Sequence, residues 1–516
     1  MKKILWVDDE IELLKPHIIF LEQKGYKVFK VTNGEDALDT IKNQELDIVF
    51  LDEHMPGLSG LETLERIKNI KNNLPVVMIT KSEEESIMEE AIGSKIADYL
   101  IKPVNPNQIL LCLKKNLEDK KLQEQKITYD YQKEFRNIGM EISSNLDYNS
   151  WAELYRKMVF WELNIQNSED DSIKEIMMFQ KEEANNLFSR YYIDNYKNWL
   201  NPDNAQKPIM SHNILRHKFL NTLEQNETTF LLVIDNLRYD QWKAIQPIIE
   251  TYFYVKEDII FYSILPSVTQ YSRNSLFSGL LPAELQKKYP EYWVEDEDEK
   301  SKNYYENELL NEHLKRHGIN IKYSFNKILN LQAGKKLLEH IPNLLSNKMN
   351  VIVYNFVDTI SHAKTEIEII KELADNDTAY RSLIVSWFKH SPLYEIIKFL
   401  AEKKVHVVIT TDHGSIQIKN PVKIIGDRET NTNLRFKYGK NLNYKSKNVF
   451  EVTNPSEYFL PRPNISTTYT FCTEYDYFVY PNNYNYFVKF YGNTFQHGGI
   501  SLEEILIPYI CLNPKT

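Results

Sequence analysis

The sequence predicts an α/β chain in three parts: a doubly wound parallel-sheet domain over residues 1–120, a helical bundle over 121–205, and a larger α/β domain over 206–516. Three observations predict it. Short apolar runs alternate with amphipathic stretches at the start, helix-period segments fill the middle, and apolar runs leading into Asp or His return in the last part. With 42% hydrophobic and 26% charged residues, the 516-residue chain can build a sizeable core in each part.

In the first part, Lys3–Val7, Val28–Val31, Leu46–Leu51, Val76–Thr80 and Tyr99–Ile101 read as five strands. Polar residues collect at their carboxyl ends: Asp8 and Asp9, Asp52, Thr80, and Lys102 before Pro103. Carboxylates gathered at one point repel each other unless a hard cation neutralises them, and oxygen ligands of this kind suit Mg²⁺. Asp52 would then accept a phosphoryl group, with Thr80 and Lys102 bonding its oxygens. One strand-end Asp alone would be a turn or helix cap, so the reading rests on the combination.

That combination resembles the receiver domain of two-component response regulators and its CheY-like fold. The resemblance implies phosphorylation of Asp52 by a cognate histidine kinase and magnesium held by Asp8, Asp9 and Asp52. It also implies switch roles for Thr80, Tyr99 and Lys102 that lead to a phosphorylation-dependent homodimer.

The charged, Gly- and Pro-free run Lys114–Lys126 extends the last helix of this domain outward. Beyond it Ile138–Met140, Trp151–Trp161, Ile173–Phe188 and Tyr191–Leu200 carry apolar residues at helical intervals, with Trp151, Trp161 and Phe188 as core, and Asn201-Pro202-Asp203 ends the series. The segment is mixed in charge, so sequence-specific DNA binding is not expected.

In the third part, the buried-strand pattern Phe230–Ile234 ends in Asp235, and a hydroxyl-rich loop, Ile264–Asn274, contains Thr269. The run Val351–Val357 reads as a strand ending in Asp358, with His362 four residues on, a spacing that puts both side chains on one side of a helical turn. Val407–Thr411 leads into Asp412 and His413, and His497 stands in a glycine-rich turn. Two metal ions could share these side chains. Arg273 and Asn274 are candidates for phosphate oxygens or for plain loop bonding.

The order Asp, Thr, Asp-x-x-x-His, Asp-His, His-Gly-Gly resembles the alkaline phosphatase superfamily, and the phrasing His497–Glu504 is similar to its PglZ branch. A receiver joined through helices to such a domain resembles the PorX response regulators of Bacteroidetes. The resemblance implies one zinc on Asp358, His362 and His497, and another on Asp235, Asp412, His413 and the Thr269 oxygen. It implies Thr269 as the nucleophile of a phosphodiesterase acting on short cyclic or linear oligonucleotides, and a link to type IX secretion. The alternative is a protein-binding platform for a sigma factor or the secretion machinery.

Composition bounds the rest. Lys+Arg number 62 against 72 Asp+Glu, a net charge of -10, which argues against a surface that coats nucleic acid. The three scattered cysteines have no metal-type spacing. Asp8 ends the first apolar run well short of a signal peptide, and no run nears the roughly 20 apolar residues of a membrane span, so a cytoplasmic protein is expected. The stretch 289–302, with Glu295–Glu299, reads as a solvated loop, and Tyr469–Tyr491 reads as core strands before nucleobase stacking.

Overall fold

The computed structural model describes residues 2–81, 96–166, 168, 170–225, 228–294, 301–427 and 430–515, so the acidic run Glu295–Glu299 lies outside the described residues. The chain divides into two compact units, Met1–Lys133 and Glu134–Thr516.

In the first unit, strands β1 (Lys3–Val7), β2 (Lys27–Val31), β3 (Ile48–Asp52), β4 (Val76–Thr80) and β5 (Asp98–Ile101) form one sheet in the order β2-β1-β3-β4-β5. Every pairing is parallel, as in the doubly wound flavodoxin-like order. Alternation of side chains along each strand splits the core between the two faces. Ile4, Trp6, Phe50 and Ile79 pack on one face, and Leu5, Val7, Leu51 and Met78 on the other. Strand order reverses between β1 and β3, which brings Asp8 and Asp52 side by side. The helix Pro106–Ile142 contains the whole of Lys114–Lys126, and the boundary between the units falls within it.

The second unit opens on helices Tyr148–Ile165 and Asp171–Leu200. The segments Ile173–Phe188 and Tyr191–Leu200, expected as two helices, are one, because neither Gly nor Pro interrupts them. Trp151 and Phe188 are buried edge to face at 5.4 Å, as expected for core, while Trp161 is half-buried. These helices pack directly on the α/β fold, where Tyr192 donates to the Ser263 carbonyl and Ser189 to that of Ile500.

The main sheet of this unit contains β6 (Thr229–Ile234), β7 (Phe253–Tyr262), β8 (Tyr323–Ile328), β9 (Met349–Tyr354), β10 (His406–Thr410) and β11 (Leu506–Pro514). Their order is β7-β11-β10-β6-β9-β8. Strands β10, β6, β9 and β8 run parallel, and β11 is antiparallel to both its neighbours. Both β6 and β9 are buried along their whole length, which explains the unbroken apolar runs Phe230–Ile234 and Val351–Tyr354 within them.

Three local expectations change. Strand β9 stops at Tyr354 because its partners end in the same register, Ile234 and Ile328 both facing Tyr354, so Asp358 lies in the helix Phe356–Glu366 instead of ending a strand. The hydroxyl-rich loop ends at Val268, and Thr269 is the first residue of the helix Thr269–Ser278. Within Tyr469–Tyr491, the strands Thr468–Cys472 and Asp476–Val479 are core, but Tyr484–Tyr491 is a helix. Its apolar residues Tyr484, Phe487, Val488 and Tyr491 follow the i, i+3, i+4, i+7 spacing of a helix face, and they pack on one cluster.

All three cysteines are free and buried. Among the described residues, no helix is long and apolar enough to cross a membrane.

Candidate active site

Three groups of metal-capable side chains stand out among the described residues: Asp8, Asp9 and Asp52; Asp235, Asp412 and His413; and Asp358, His362 and His497. Within each group the ligand atoms lie within 4.8 Å of one another.

In the receiver group, Asp8 and Asp52 are buried and Asp9 is exposed. Lys102 Nζ reaches Asp8 Oδ2 at 2.9 Å and Asp52 Oδ1 at 3.0 Å. Burial raises the Asp52 carboxyl above its ordinary range, and Lys102 offsets part of that rise. Burial opposes the charge on Lys102, yet its two carboxylate partners outweigh this and raise its pKa. Thr80 is buried, and its carbonyl accepts from the Lys102 amide at 2.7 Å; Tyr99 is 41% exposed.

In the second unit, the buried group gathers at the carboxyl ends of β6 and β10. Asp235, Asp412 and His413 are 1%, 0% and 0% exposed, so their charge can be balanced only from inside. The balancing cation is Arg273, whose Nη1 lies 2.6 Å from Asp235 Oδ2 and 3.8 Å from Asp412 Oδ2, and whose Nε lies 2.5 Å from Glu306 Oε1. Lys327 also reaches Glu306, at 3.1 Å. One guanidinium is thus shared among three carboxylates. Burial and the neighbouring Asp235 push the Asp412 carboxyl well above its usual range, and Asp412 Oδ2 is buried with no hydrogen bond.

His413 Nδ1 lies 3.1 Å from the Gly414 carbonyl oxygen, which can only accept, so Nδ1 carries the proton. Its Nε2 lone pair then faces Thr269 Oγ1 at 3.1 Å, Asp235 Oδ1 at 3.7 Å and Asp412 Oδ2 at 3.7 Å. Gly414 is required by close approach, since a Cβ there would lie 2.0 Å from the Glu503 carbonyl.

The more open group hangs on the helix Phe356–Glu366. Asp358 Oδ2 faces His362 Nε2 at 3.4 Å across one helical turn, and Oδ1 faces His497 Nε2 at 3.5 Å. Burial opposes ionisation of Asp358, but its two imidazole partners hold its pKa well below the usual range. His362 is 62% exposed and His497 12%. The two groups adjoin, because the His413 and His497 rings stack with centroids 4.2 Å apart.

The turn that carries His497 is fixed from beneath. Gly498 adopts φ 121°, a conformation disfavoured for L side chains, and its amide donates to Ser267 Oγ. The Gly499 amide donates to Glu504, whose carboxylate forms a fully buried pair with Arg435 at 2.6 Å. Thr269 opens its helix beside both groups, and its hydroxyl lies 3.4 Å from Asp235 Oδ1. Arg273 and Asn274 are both 1% exposed and engaged within the protein, Asn274 with Lys302 and Asn303, so loop and charge bonding is the reading their geometry supports.

Sequence reasoning missed the supports: Asn236, Ser267, Arg435, and a buried charge cluster that joins the bundle to the loops around the candidate site. In that cluster Arg381 touches Glu162 and Asp240, Arg238 touches Asp240 and Asp377, and Lys181 touches Glu162 and Glu503. Arg238 is the residue before the helix Tyr239–Ile249 and lies three positions after Asp235.

Three family models match the chain in succession. A response regulator receiver domain matches residues 4–114, a PorX response regulator linker domain matches 121–200, and the BREX system PglZ alkaline phosphatase-like domain matches 214–512, more than half of the chain. Among curated proteins, the regulatory protein VanR of Enterococcus faecium is 35% identical over 117 residues, 22% of this chain and 49% of its own length. The transcriptional regulatory protein ZraR of Klebsiella oxytoca is 32% identical over 136 residues, 26% of this chain and 31% of its own. The chain therefore spans about a third to a half of the curated relatives it matches. Among solved structures, a CheY-like receiver domain protein from Methanospirillum hungatei is 26% identical with a TM-score of 0.23, covering 23% of this chain and 97% of that one. A two-component response regulator from Clostridium difficile is 29% identical with a TM-score of 0.22, covering 23% and 97%.

Proposed function

The chain belongs to the PglZ alkaline phosphatase-like family, as a response regulator with a receiver domain and a PorX linker ahead of that domain, and we propose that its output is phosphodiester hydrolysis at Thr269. The observation that carries this reading is the placement of the Thr269 hydroxyl, 3.1 Å from the His413 lone pair and 3.4 Å from Asp235, at the mouth of two adjoining ligand groups.

The residues present fit two zinc ions. Carboxylates and imidazoles without thiolate are the donor set of catalytic zinc, and the unbonded, buried Asp412 Oδ2 needs a cation that Arg273 cannot supply alone. Asp235, Asp412, His413 and the Thr269 oxygen would hold one, and Asp358, His362 and His497 the other. Bound zinc supplies Lewis acidity, which acidifies a hydroxyl and neutralises phosphate charge.

The chain's own groups do the rest. Contacts to His413 Nε2 and Asp235 Oδ1 orient Thr269 Oγ1, and the positive end of the helix Thr269–Ser278 faces the incoming phosphate. The threonine oxygen gives up its proton and forms a bond to phosphorus as the ester oxygen leaves with its electron pair and takes up a proton; water then cleaves the threonine–phosphorus bond, which frees the phosphoryl product and restores the hydroxyl. The more exposed His362 marks the side open to substrate. A short oligonucleotide, cyclic or linear, is the proposed substrate, since the net negative chain repels long polyanions.

The receiver would take a phosphoryl group on Asp52 from a cognate histidine kinase, with Mg²⁺ on Asp8, Asp9 and Asp52, and signal through Thr80 and Tyr99 to a homodimer. A cytoplasmic location and a role in type IX secretion complete the reading. The test compares a phosphomonoester, a chromogenic phosphodiester and cyclic and linear oligonucleotides under equal zinc. Preference for the diesters supports the reading; faster turnover of the monoester, or none of any substrate, contradicts it.

A further inference from the structure

Asn236 stands between the two ligand groups of the second unit, and the geometry points to it as the positioning residue that holds the open group in register with the buried one. It follows Asp235 at the end of β6, is wholly buried, and adopts φ 63°, the left-handed region that Asn tolerates better than most residues. That backbone turns its amide toward Asp412 Oδ1 at 3.3 Å, in the buried group. Its side chain points the other way, and Nδ2 donates to Asp358 Oδ1 at 3.4 Å, in the open group. Oδ1 of Asn236 is buried without a hydrogen bond, so the donor end sets the orientation of the side chain.

Asp358 needs such a support. Its Oδ1 must face His497 while Oδ2 faces His362, and those ligands come from distant parts of the chain. Asn236 is a described side chain that touches Asp358 without being one of the three ligands. Its two contacts differ in kind. The bond to Asp412 is made by the backbone and survives any substitution that keeps the left-handed turn; the bond to Asp358 is lost when the side chain is removed. The consequence is an asymmetry: Asn236→Gly spares the buried group and loosens the open one. Loss of a hydrogen-bond partner behind a metal ligand lowers affinity by about 10- to 100-fold. This rests on the metal-binding reading proposed above.

The experiment is a zinc titration of the full chain, with Mg²⁺ saturating the receiver, read as zinc content and as affinity by competition with a chromogenic chelator. Wild type is expected to take two tight equivalents. Asn236→Gly is expected to keep one unchanged and to bind the other about 10- to 100-fold more weakly. Two unchanged equivalents would reduce Asn236 to a turn residue, since glycine supplies that turn freely, and equal weakening of both would remove the asymmetry; either overturns the inference. If Asn236→Gly fails to fold, Asn236→Asp keeps the side chain's size but offers Asp358 no Nδ2 donor. The gap in melting temperature between metal-free and zinc-saturated protein is then expected to narrow below that of wild type, since a weaker-bound ion stabilises the fold less, and a gap equal to or wider than that of wild type overturns the inference. A wild type that binds no zinc contradicts the metal reading itself, and this inference with it.

Discussion

Both units gather carboxylates at the carboxyl ends of parallel strands, but they balance that charge in different ways. In the receiver, a lysine with 15% of its side chain exposed reaches two carboxylates while Asp9 stays open to water. In the second unit, Asp235 and Asp412 are sealed inside and share a buried arginine with Glu306. A lysine amine on a flexible stem can move from a carboxylate to a new phosphate, whereas a guanidinium bonded at both ends is fixed. The first arrangement suits a charge that comes and goes; the second suits a resident cation. An acid after a strand is therefore only a position, and the cation beside it sets the chemistry.

The largest expected effect separates the two sites outright. Thr269→Val should lower phosphodiester turnover by at least about 10³-fold, the scale seen when a nucleophile is removed. Phosphoryl uptake by Asp52 from a small phosphodonor should be unchanged, and Asp52→Ala should show the reverse pattern. If either variant impaired both reactions, the two chemistries would not be independent.

A smaller effect probes the buried charges that tie the bundle to the loops around the candidate site. Arg381→Ala takes one of two cations from each of Glu162 and Asp240, which keep Lys181 and Arg238, so it should cost one charge-assisted bond at each, about 1.5–3 kcal/mol apiece. Calorimetry of the full chain should show the second unit melting earlier and the receiver transition unmoved. Smaller again, Lys102→Ala removes a charge-assisted bond of about 1.5–3 kcal/mol, so phosphorylated protein at steady state should fall by roughly tenfold or more. Its phosphodiester turnover should equal that of wild type.

The last effect is a pH dependence of stability in the second unit. Burial lowers the Lys437 amine to about 7, although its Nζ donates to the Asn431 carbonyl at 2.8 Å. The unfolded amine titrates near about 10.4, so between these values the unfolded chain binds more protons. This group's contribution to stability therefore rises with pH from about 7 to about 10.4 and is flat below. Thermal melts at pH 7 and 9 should show this rise in wild type and a shallower one in Lys437→Met. An equal slope in both would place the titration elsewhere.

Much of the fold was legible because strand and helix periods differ. All five receiver strands could be placed from short apolar runs set between amphipathic stretches, and unbroken apolar runs marked β6 and the last part of β9. The end of β9 was read too late, since apolar Phe356 and Val357 follow it; the signal was Asn355, which stands directly after Tyr354 and before the helix Phe356–Glu366, where the neighbours stop at Ile234 and Ile328. The order of the Asp and His ligands was readable as a string. Their supports were not: Arg435 and Glu504 stand 69 positions apart, and no local pattern links them. Asn236 carried a faint signal, because Asn directly after a strand-end Asp is a residue suited to a left-handed turn.

The most direct test of the second site is chromogenic phosphodiester hydrolysis by the full chain before chelation, after chelation and after zinc is restored, with Thr269→Val measured alongside. Turnover should fall to background on chelation, return with zinc, and stay absent in Thr269→Val at every zinc concentration. Turnover that persists without metal, or that survives loss of the Thr269 hydroxyl, would contradict the account.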